Sequence, residues 1–472
     1  YDMTKKFTYK TKPFEHQRNA LKAGAKKHYF AYFMQMGTGK TKVTIDNMSY
    51  LYVEDKIDTV VVVAPNSVYQ NWLIELDIHC SVNYHTYTHK VDKKFVYKDN
   101  VLNYYLINVE AFSHTKGYKL IEKILDQRGL KVAMVIDEAT TIKNRTASRT
   151  KNLIKLGRGI KYKRILTGSP VTKSPLDLFA QCEFLQQGLL GHKSFYTFQA
   201  RHAVLKQLSL PGQRSTMIPT GTYMNIDELE QKIKTFSFRV TKDECMDLPD
   251  KIYLKRDIIL STEQRHYYDQ LKKHSRALLL NDMISFNNKL TEIIKLQQVC
   301  NGFVKTDSGD TINMKDAKMQ ELHQVIDEHD GKVIIWSSFV HNIETIIKNL
   351  EDKFGKGSTV AIYGAVSVKD RNENVRKFQT NPKVKFFVGN PVTGGYGLNL
   401  TKATLVVYYN NSFNLEVRTQ SEDRAHRHGQ EKEVTYVDLI AKGTIDEFVV
   451  KSLAGKHKLS AQTLGEEAVK FL

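Results

Sequence analysis

The sequence predicts an α/β chain built as two parallel-sheet lobes in tandem, with helical insertions at the join. Three observations carry that reading. Short apolar runs recur, helix-length polar segments separate them, and the pattern stops near residue 175 and restarts near 330. A run that is apolar at every position reads as a strand buried on both faces, as in a parallel sheet covered by helices. Alternation with helical segments is the mark of βαβ units. At 472 residues the chain also exceeds the size at which a single core stops growing.

The first lobe is expected over 1–246. Its strands are "YFAYFMQM" (29–36), "TVVVVAP" (59–65), "YYLINV" (104–109), "VAMVIDEA" (132–139) and "RILTGSP" (164–170). A helical and irregular insertion follows over 175–245, and 208–226 reads as an irregular excursion. "MDLPDK" (246–251) is the expected linker, because Pro249 disfavours helix continuity. The second lobe is expected over 247–450, with a helical insertion over 261–330. Its strands are "KVIIWSSF" (332–339), "STVAIYG" (358–364), "VKFFVGNP" (384–391), "ATLVVYYN" (403–410) and "VTYVDLI" (434–440). Residues 451–472 read as a C-terminal helical tail.

Lysine and arginine number 70 against 51 acidic residues, a formal charge of +19. Such a field favours a polyanionic partner, although a generally basic surface explains it equally. No apolar run approaches a membrane span, so no membrane partner is expected. Cys80, Cys182, Cys245 and Cys300 are scattered, with no C-x-x-C pair. That argues against structural zinc and a disulfide framework, and for a reducing interior.

"MGTGKTK" (36–42) follows an expected strand and opens a helix. Around Met36 and Thr38, Gly37 and Gly39 let backbone N–H groups approach a phosphate. Lys40 would reach the β- and γ-phosphates, and the Thr41 hydroxyl would hold Mg²⁺. Met34 stands where the full pattern has glycine, and an ordinary strand–turn–helix junction with a surface lysine is the competing reading. "VIDEAT" (135–140) ends another buried strand. Asp137 would sit at a strand's carboxyl end, where α/β sheets bind ligands, and could hold Mg²⁺. Glu138 could orient and deprotonate an attacking water. The competing reading there is a helix N-cap acid and its neighbour. "QSEDRAHRHGQ" (420–430) places Arg424 and Arg427 three apart, on one face if the stretch is helical. Two guanidiniums that cannot lose their charge suit a γ-phosphate; a solvated, self-paired surface helix carrying Glu422 and Asp423 is the plain alternative.

In order, these motifs resemble the Swi/Snf-type ATPases of helicase superfamily two, over roughly Phe14 to Phe448. The resemblance implies RecA-like lobes, ATP and Mg²⁺ as cofactors, and DNA as partner. "FEHQRNAL" (14–21) looks like the adenine-reading entry motif, with Gln17 on the base. "VVVAPNSVYQNWLIEL" (61–76) is similar to motif Ia, where Pro65, Asn66 and Ser67 meet the DNA backbone and Trp72 follows. "LINVEAF" (106–112), with Asn108, resembles motif Ib. "DEATTIKN" (137–144), with Lys143, matches the acidic box, Thr140 replacing the usual histidine. "ILTGSP" (165–170) resembles motif III, and "FRVTKDECMDLPDK" (238–251) the lobe-joining segment, with Val240 where a second arginine is usual. "IIWSSF" (334–339) resembles motif IV, with Ser337 and Ser338; these two serines, Asn108 and Lys143 are implied on DNA. "GGYGLNLTKATLVVYYN" (394–410) matches motif V; Thr393, Gly394 and Gly395 are implied on DNA and Gly397 on nucleotide. The stretch at 420–430 matches motif VI, which implies Arg424 and Arg427 as fingers and Gln430 at the nucleotide.

The implied function is ATP-driven translocation on double-stranded or branched DNA without obligatory strand separation, remodelling protein–DNA complexes or branched DNA. Nucleotide would draw the lobes together through the two arginines. A monomer in the cytoplasm of a bacterial or phage-infected cell is expected, the nucleus not excluded, with targeting left to insertions or a partner protein. Two other functions fit the same fold: a strand-separating DNA or RNA helicase, and a non-catalytic nucleic-acid-binding module. Gln430 and the Thr-Gly-Ser of motif III speak against an RNA helicase.

Overall fold

A computed structural model describes residues 6–65, 68–89, 92, 95–127, 129–208, 215–245, 247–280, 286–393 and 398–466. The chain divides into two compact units. The first runs to Asp247 and takes in the last helix from Lys456; the second runs from Leu248 to Gly455.

The first unit holds strands β1 (Tyr29–Met34), β2 (Thr59–Ala64), β3 (Tyr84–Thr88), β4 (Leu102–Asn108), β5 (Val132–Asp137), β6 (Tyr162–Leu166), β7 (Ala203–Leu208), β8 (Thr216–Tyr223) and β9 (Ser237–Val240). Seven form a sheet in the order β3-β4-β2-β5-β6-β1-β9, parallel throughout. Alternate residues of one strand feed opposite cores, as the pleat dictates. Phe33, Val61, Val63, Met134 and Ile136 face one cluster. Tyr32, Met34, Val60, Val62 and Val135 face the other, with helices α1 (Glu15–Gly24), α2 (Lys40–Val53) and α3 (Tyr69–His79).

The second unit holds β10 (Lys251–Ile258), β11 (Phe303–Lys305), β12 (Thr311–Asn313), β13 (Lys332–Trp336), β14 (Thr359–Ile362), β15 (Phe386–Gly389), β16 (Ala403–Tyr408) and β17 (Val434–Ala441). Six make a second parallel sheet, β10-β17-β16-β13-β15-β14. It too has a core on each face, Val333 and Ile335 on one, Ile334 and Trp336 on the other. Helices Thr262–Leu280 and Phe286–Cys300 form the insertion after β10. The two-lobe parallel α/β architecture is therefore as expected.

Two details differ. Within the expected irregular stretch 208–226, Thr216–Tyr223 is the strand β8, paired antiparallel with β7, while 209–214 lie outside the described residues. β3, β9 and β10 lie outside the apolar runs; each is a sheet edge. An edge strand is only partly covered, so it keeps polar residues and loses the continuous apolar signature. β10 alternates half-buried and exposed positions along most of its length. The expected linker 246–251 is flanked by β9 in one sheet and β10 in the other; Met246 lies outside the described residues. No described helix is long and apolar enough to cross a membrane.

Candidate active site

β1 ends at Met34 and the chain turns sharply into α2. Gly37 and Gly39 hold φ of 86° and 90°, the left-handed region that side chains resist. Met36 is half-buried. Thr38 is buried, and its hydroxyl donates to Gln35 O at 2.8 Å. Its carbonyl accepts from Gln17 Nε2 at 3.2 Å and lies 2.8 Å from His16 Nε2. Gln17, on α1, is itself fixed by Phe14 N–H, which donates to Gln17 Oε1 at 3.0 Å. Lys40 is the first residue of α2 and is largely buried; Thr41 follows it, half-buried. A helix start presents unpaired N–H groups and the positive end of the dipole, so this turn is built to receive an anion.

Asp137 is the last residue of β5. Trp72 Nε1 donates to its Oδ2 at 2.8 Å, and the Glu138 amide donates to its Oδ1 at 2.9 Å. Burial raises the Asp137 pKa, opposed by the Lys40 ammonium, the Trp72 donor and the Glu138 amide. Tyr32 of β1 and Asp137 of β5 share the register of Leu166 in β6, so the parallel sheet sets the turn after Met34 and the acidic pair at the same edge. Glu138 is buried with φ 53° and ψ 63°, a left-handed conformation that costs energy in a non-glycine residue. Thr140 is buried in the short 3₁₀ turn Ala139–Ile142.

A carboxylate offers about four lone-pair positions, and Asp137 accepts a hydrogen bond on each oxygen, from Trp72 and from the Glu138 amide. With the Thr41 hydroxyl it makes an all-oxygen donor pair. That chemistry fits Mg²⁺, which takes one or two carboxylates and relies on water and substrate phosphate for the rest. Among the described residues no group of three or more His, Cys, Asp or Glu side chains gathers as a metal cage.

Two contacts escaped the sequence reading. Arg239 Nη1 donates to Phe33 O at 3.0 Å and Gly168 O at 2.8 Å, clamping the end of β1 to the 167–169 turn; it also pairs with Glu466. Lys242 is buried, its amide donates to Gln35 Oε1 at 2.9 Å, and its Cε lies 3.9 Å from where a Gly37 Cβ would stand. Only the arginine and lysine of "FRVTKDE" could have signalled them, with nothing local to say where they point.

Apart from Lys143, the described residues expected on DNA fall at or just beyond strand ends in each unit. Pro65 ends β2 and its carbonyl accepts from Val68 N. Asn108 caps the turn Val109–Ser113 through Ala111 N at 3.0 Å. Lys143 Nζ donates to Thr172 Oγ1 at 2.7 Å. In the second unit, Ser338 N–H donates to Asn410 Oδ1 at 2.9 Å, and Thr393 is half-buried. Ser337 corrects the expectation: its hydroxyl is buried and accepts from Asn410 Nδ2 at 3.0 Å, an internal tie. Asn66, Ser67, Gly394, Gly395 and Gly397 lie outside the described residues.

The 420–430 stretch is neither one helix face nor a solvated surface. The helix Leu415–Glu422 ends before Arg424, and Arg424 and Arg427 lie in the turns that follow. Arg424 is 1% exposed. Arg427 is half-buried, and its Nη1 donates to Leu398 O at 3.2 Å. Burial lowers the Arg427 pKa, offset by the Asp423 carboxylate. Glu422 is buried and pairs with Arg418 at 2.8 Å and Lys251 at 3.2 Å. Gln430 is also corrected: Nε2 is spent on Thr401, Ala403 and Ala425 carbonyls at 2.9–3.1 Å, so its amide braces the loop.

Residues 33–303 match the SNF2-related domain, and residues 317–429 match the helicase conserved C-terminal domain. The chain belongs to the SNF2-related family. An uncharacterized ATP-dependent helicase of Mycoplasma pneumoniae is 30% identical over 341 residues, covering 71% of this chain and 31% of that protein. The putative ATP-dependent helicase/translocase YwqA of Bacillus subtilis is 28% identical over 452 residues, covering 92% of this chain and 46% of YwqA. The chain thus spans less than half the length of these SNF2-related proteins. The Sulfolobus solfataricus SWI2/SNF2 ATPase core, solved in complex with dsDNA, is 25% identical with a TM-score of 0.43, over 98% of this chain and 96% of that one.

Proposed function

We propose that this chain is a DNA-stimulated ATPase that translocates on double-stranded or branched DNA without obligatory strand separation. The observation that carries the reading is the parallel sheet that sets the phosphate turn after β1, with the buried Lys40 opening α2, and the buried Asp137 at the end of β5 along the same edge. Membership of a family whose relatives are named ATP-dependent helicases supports it.

Gln17 contacts the adenine, and the Met36–Thr41 turn holds the phosphates through its amides and Lys40. Thr41 and Asp137 would hold Mg²⁺, which would supply charge neutralisation at the phosphate oxygens. Glu138 orients the attacking water and takes its proton. Arg427 supplies the finger for the charge that develops, with Arg424 bracing or sharing that role. Gln430 keeps a structural role.

DNA is the proposed partner because the net charge of +19 favours a polyanion and the motifs resemble those of duplex translocases. Backbone amides and small polar groups at 65–67, 108, 338 and 393–395, with Lys143, would hold phosphates without reading sequence. About six neutralised phosphates would give a log–log salt slope near −5 on duplex DNA. Lobe one is assigned to 1–246, lobe two to 247–450, and 451–472 to a bracing tail. The chain acts as a monomer where the DNA is, the cytoplasm in a bacterium, with a targeting protein choosing its site.

Phosphate release measured with and without duplex DNA tests this reading. A large stimulation by duplex is expected; equal rates would refute it. Displacement of a third strand from triplex DNA reads translocation, and displacement of a duplex strand would favour the strand-separating alternative.

A further inference from the structure

Trp72 is fully buried near the start of α3, and its indole N–H donates to Asp137 Oδ2 at 2.8 Å. The other oxygen, Oδ1, accepts from the adjoining Glu138 amide. One donor is therefore local to the strand end, and the other arrives from a different element. α3 begins at Tyr69, one residue after Val68, whose amide donates to Pro65 O at 2.9 Å. The Trp72 ring packs in one core with Val62, Ala64 and Leu76. A large ring in a close-packed core moves with its helix rather than within it.

We propose that Trp72 is a positioning residue, which ties the orientation of the Asp137 carboxylate to the seat of α3. Nucleic-acid binding that shifts α3 would act on Asp137 through this hydrogen bond. The inference rests on the ATPase reading above and deepens it by naming the link between the nucleic-acid side and the hydrolytic side of the first unit. Outer partners that orient a metal-ligating carboxylate commonly carry such an effect.

The chain has two tryptophans. Trp336 belongs to the second unit's core, and its indole nitrogen has no hydrogen-bond partner among the described residues. Trp336→Phe thus leaves Trp72 as the sole reporter without removing a polar contact. Duplex DNA added without nucleotide is expected to shift Trp72 emission; an unchanged spectrum under saturating DNA, with binding verified by anisotropy, overturns the proposal. Trp72→Phe keeps an aromatic ring, removes the N–H donor and leaves a small cavity in the core. In the full chain it should lower DNA-saturated kcat about 10- to 100-fold, with KM for ATP and half-saturating DNA unchanged and a modestly lower melting temperature. Full kcat in Trp72→Phe sinks this inference and leaves the ATPase reading standing. A wild-type chain that DNA does not stimulate sinks both. Should Trp72→Phe fail to fold, the emission of the Trp336→Phe protein still decides.

Discussion

The side-chain amide of Gln17 donates to the carbonyl of Thr38 at 3.2 Å, and the same amide fills the space where a side chain on Gly39 would begin. The entry helix and the phosphate turn are thus fitted to each other through a missing Cβ. Gly39→Ala meets two penalties, a φ of 90° and a collision with Gln17. The backbone term alone is about 1–2 kcal/mol, or a factor of about 5–30. Binding of a fluorescent ATP analogue should weaken by at least that factor. In a Gln17→Ala background the same substitution should cost less, since the obstacle is gone; strict additivity across the four proteins would contradict the fit.

Glu138 combines a left-handed backbone, φ 53°, with a buried carboxylate beside Asp137. A non-glycine residue in that conformation is held there at a cost. Glu138→Gln should bind nucleotide normally and lose about 10²–10⁴ in turnover, the usual contribution of a general base. Glu138→Gly should be equally inactive yet not less stable than Glu138→Gln, because glycine relieves about 1 kcal/mol of strain. Single-turnover hydrolysis and thermal melting of the two variants check both halves.

What could be read in advance follows from the range of the interactions. β1, β2, β5, β13, β15 and β16 are buried along nearly their whole length, so burial alone writes them into the residue order. β3, β9 and β10 close the edges of their sheets and write no such signal. The Gly37–Thr41 turn is local chemistry and was legible. The Trp72–Asp137 and Arg239–Gly168 bonds join segments far apart in the chain, and no periodicity encodes them. The spacing of Arg424 and Arg427 misled, because Glu422 closes the helix before either arginine. Buried partners, not helical periodicity, set where each arginine lies.

Arg424 and Arg427 are placed differently enough to be separated by experiment. Arg427 is half-buried and anchored on Leu398 O at 3.2 Å, whereas Arg424 is 1% exposed. Arg427→Ala should lower DNA-stimulated kcat by about 10³–10⁵, the worth of an arginine finger, with little change in stability. Arg424→Ala should lower turnover and also destabilise the second unit, because a buried guanidinium cannot be removed without cost. Unfolding followed through Trp336, in the core of that unit, distinguishes them; full turnover in Arg427→Ala would remove it from the mechanism.

Those arginines follow a buried charge cluster that fixes the end of their helix. Arg418 Nη1 and Nη2 bond both oxygens of Asp438 at 2.5 and 3.0 Å, its Nε meets Glu422 at 2.8 Å, and its guanidinium lies 3.6 Å from the centre of the Tyr408 ring. The Tyr253 hydroxyl and Lys251 complete the shell of Glu422 at 2.7 and 3.2 Å. Burial alone would raise the Glu422 pKa, but Lys251, Arg418 and the donated hydrogen bonds outweigh it and hold it below its ordinary value. As pH falls, the unfolded chain therefore takes up a proton here before the folded one does. The stabilisation is complete above the ordinary glutamate pKa of about 4.3 and is lost as pH drops through the lower folded value. Urea unfolding read at Trp336 should show stability falling across that acid window, and Glu422→Gln should flatten this part of the pH dependence while weakening the unit at neutral pH. Arg418→Met, which removes the cation paired with the buried Asp438 and leaves Glu422 only Lys251 and Tyr253, should cost about 3–5 kcal/mol. An Arg418→Met protein as stable as wild type at pH 7 would mean that the cluster contributes nothing to holding the 424–427 turns.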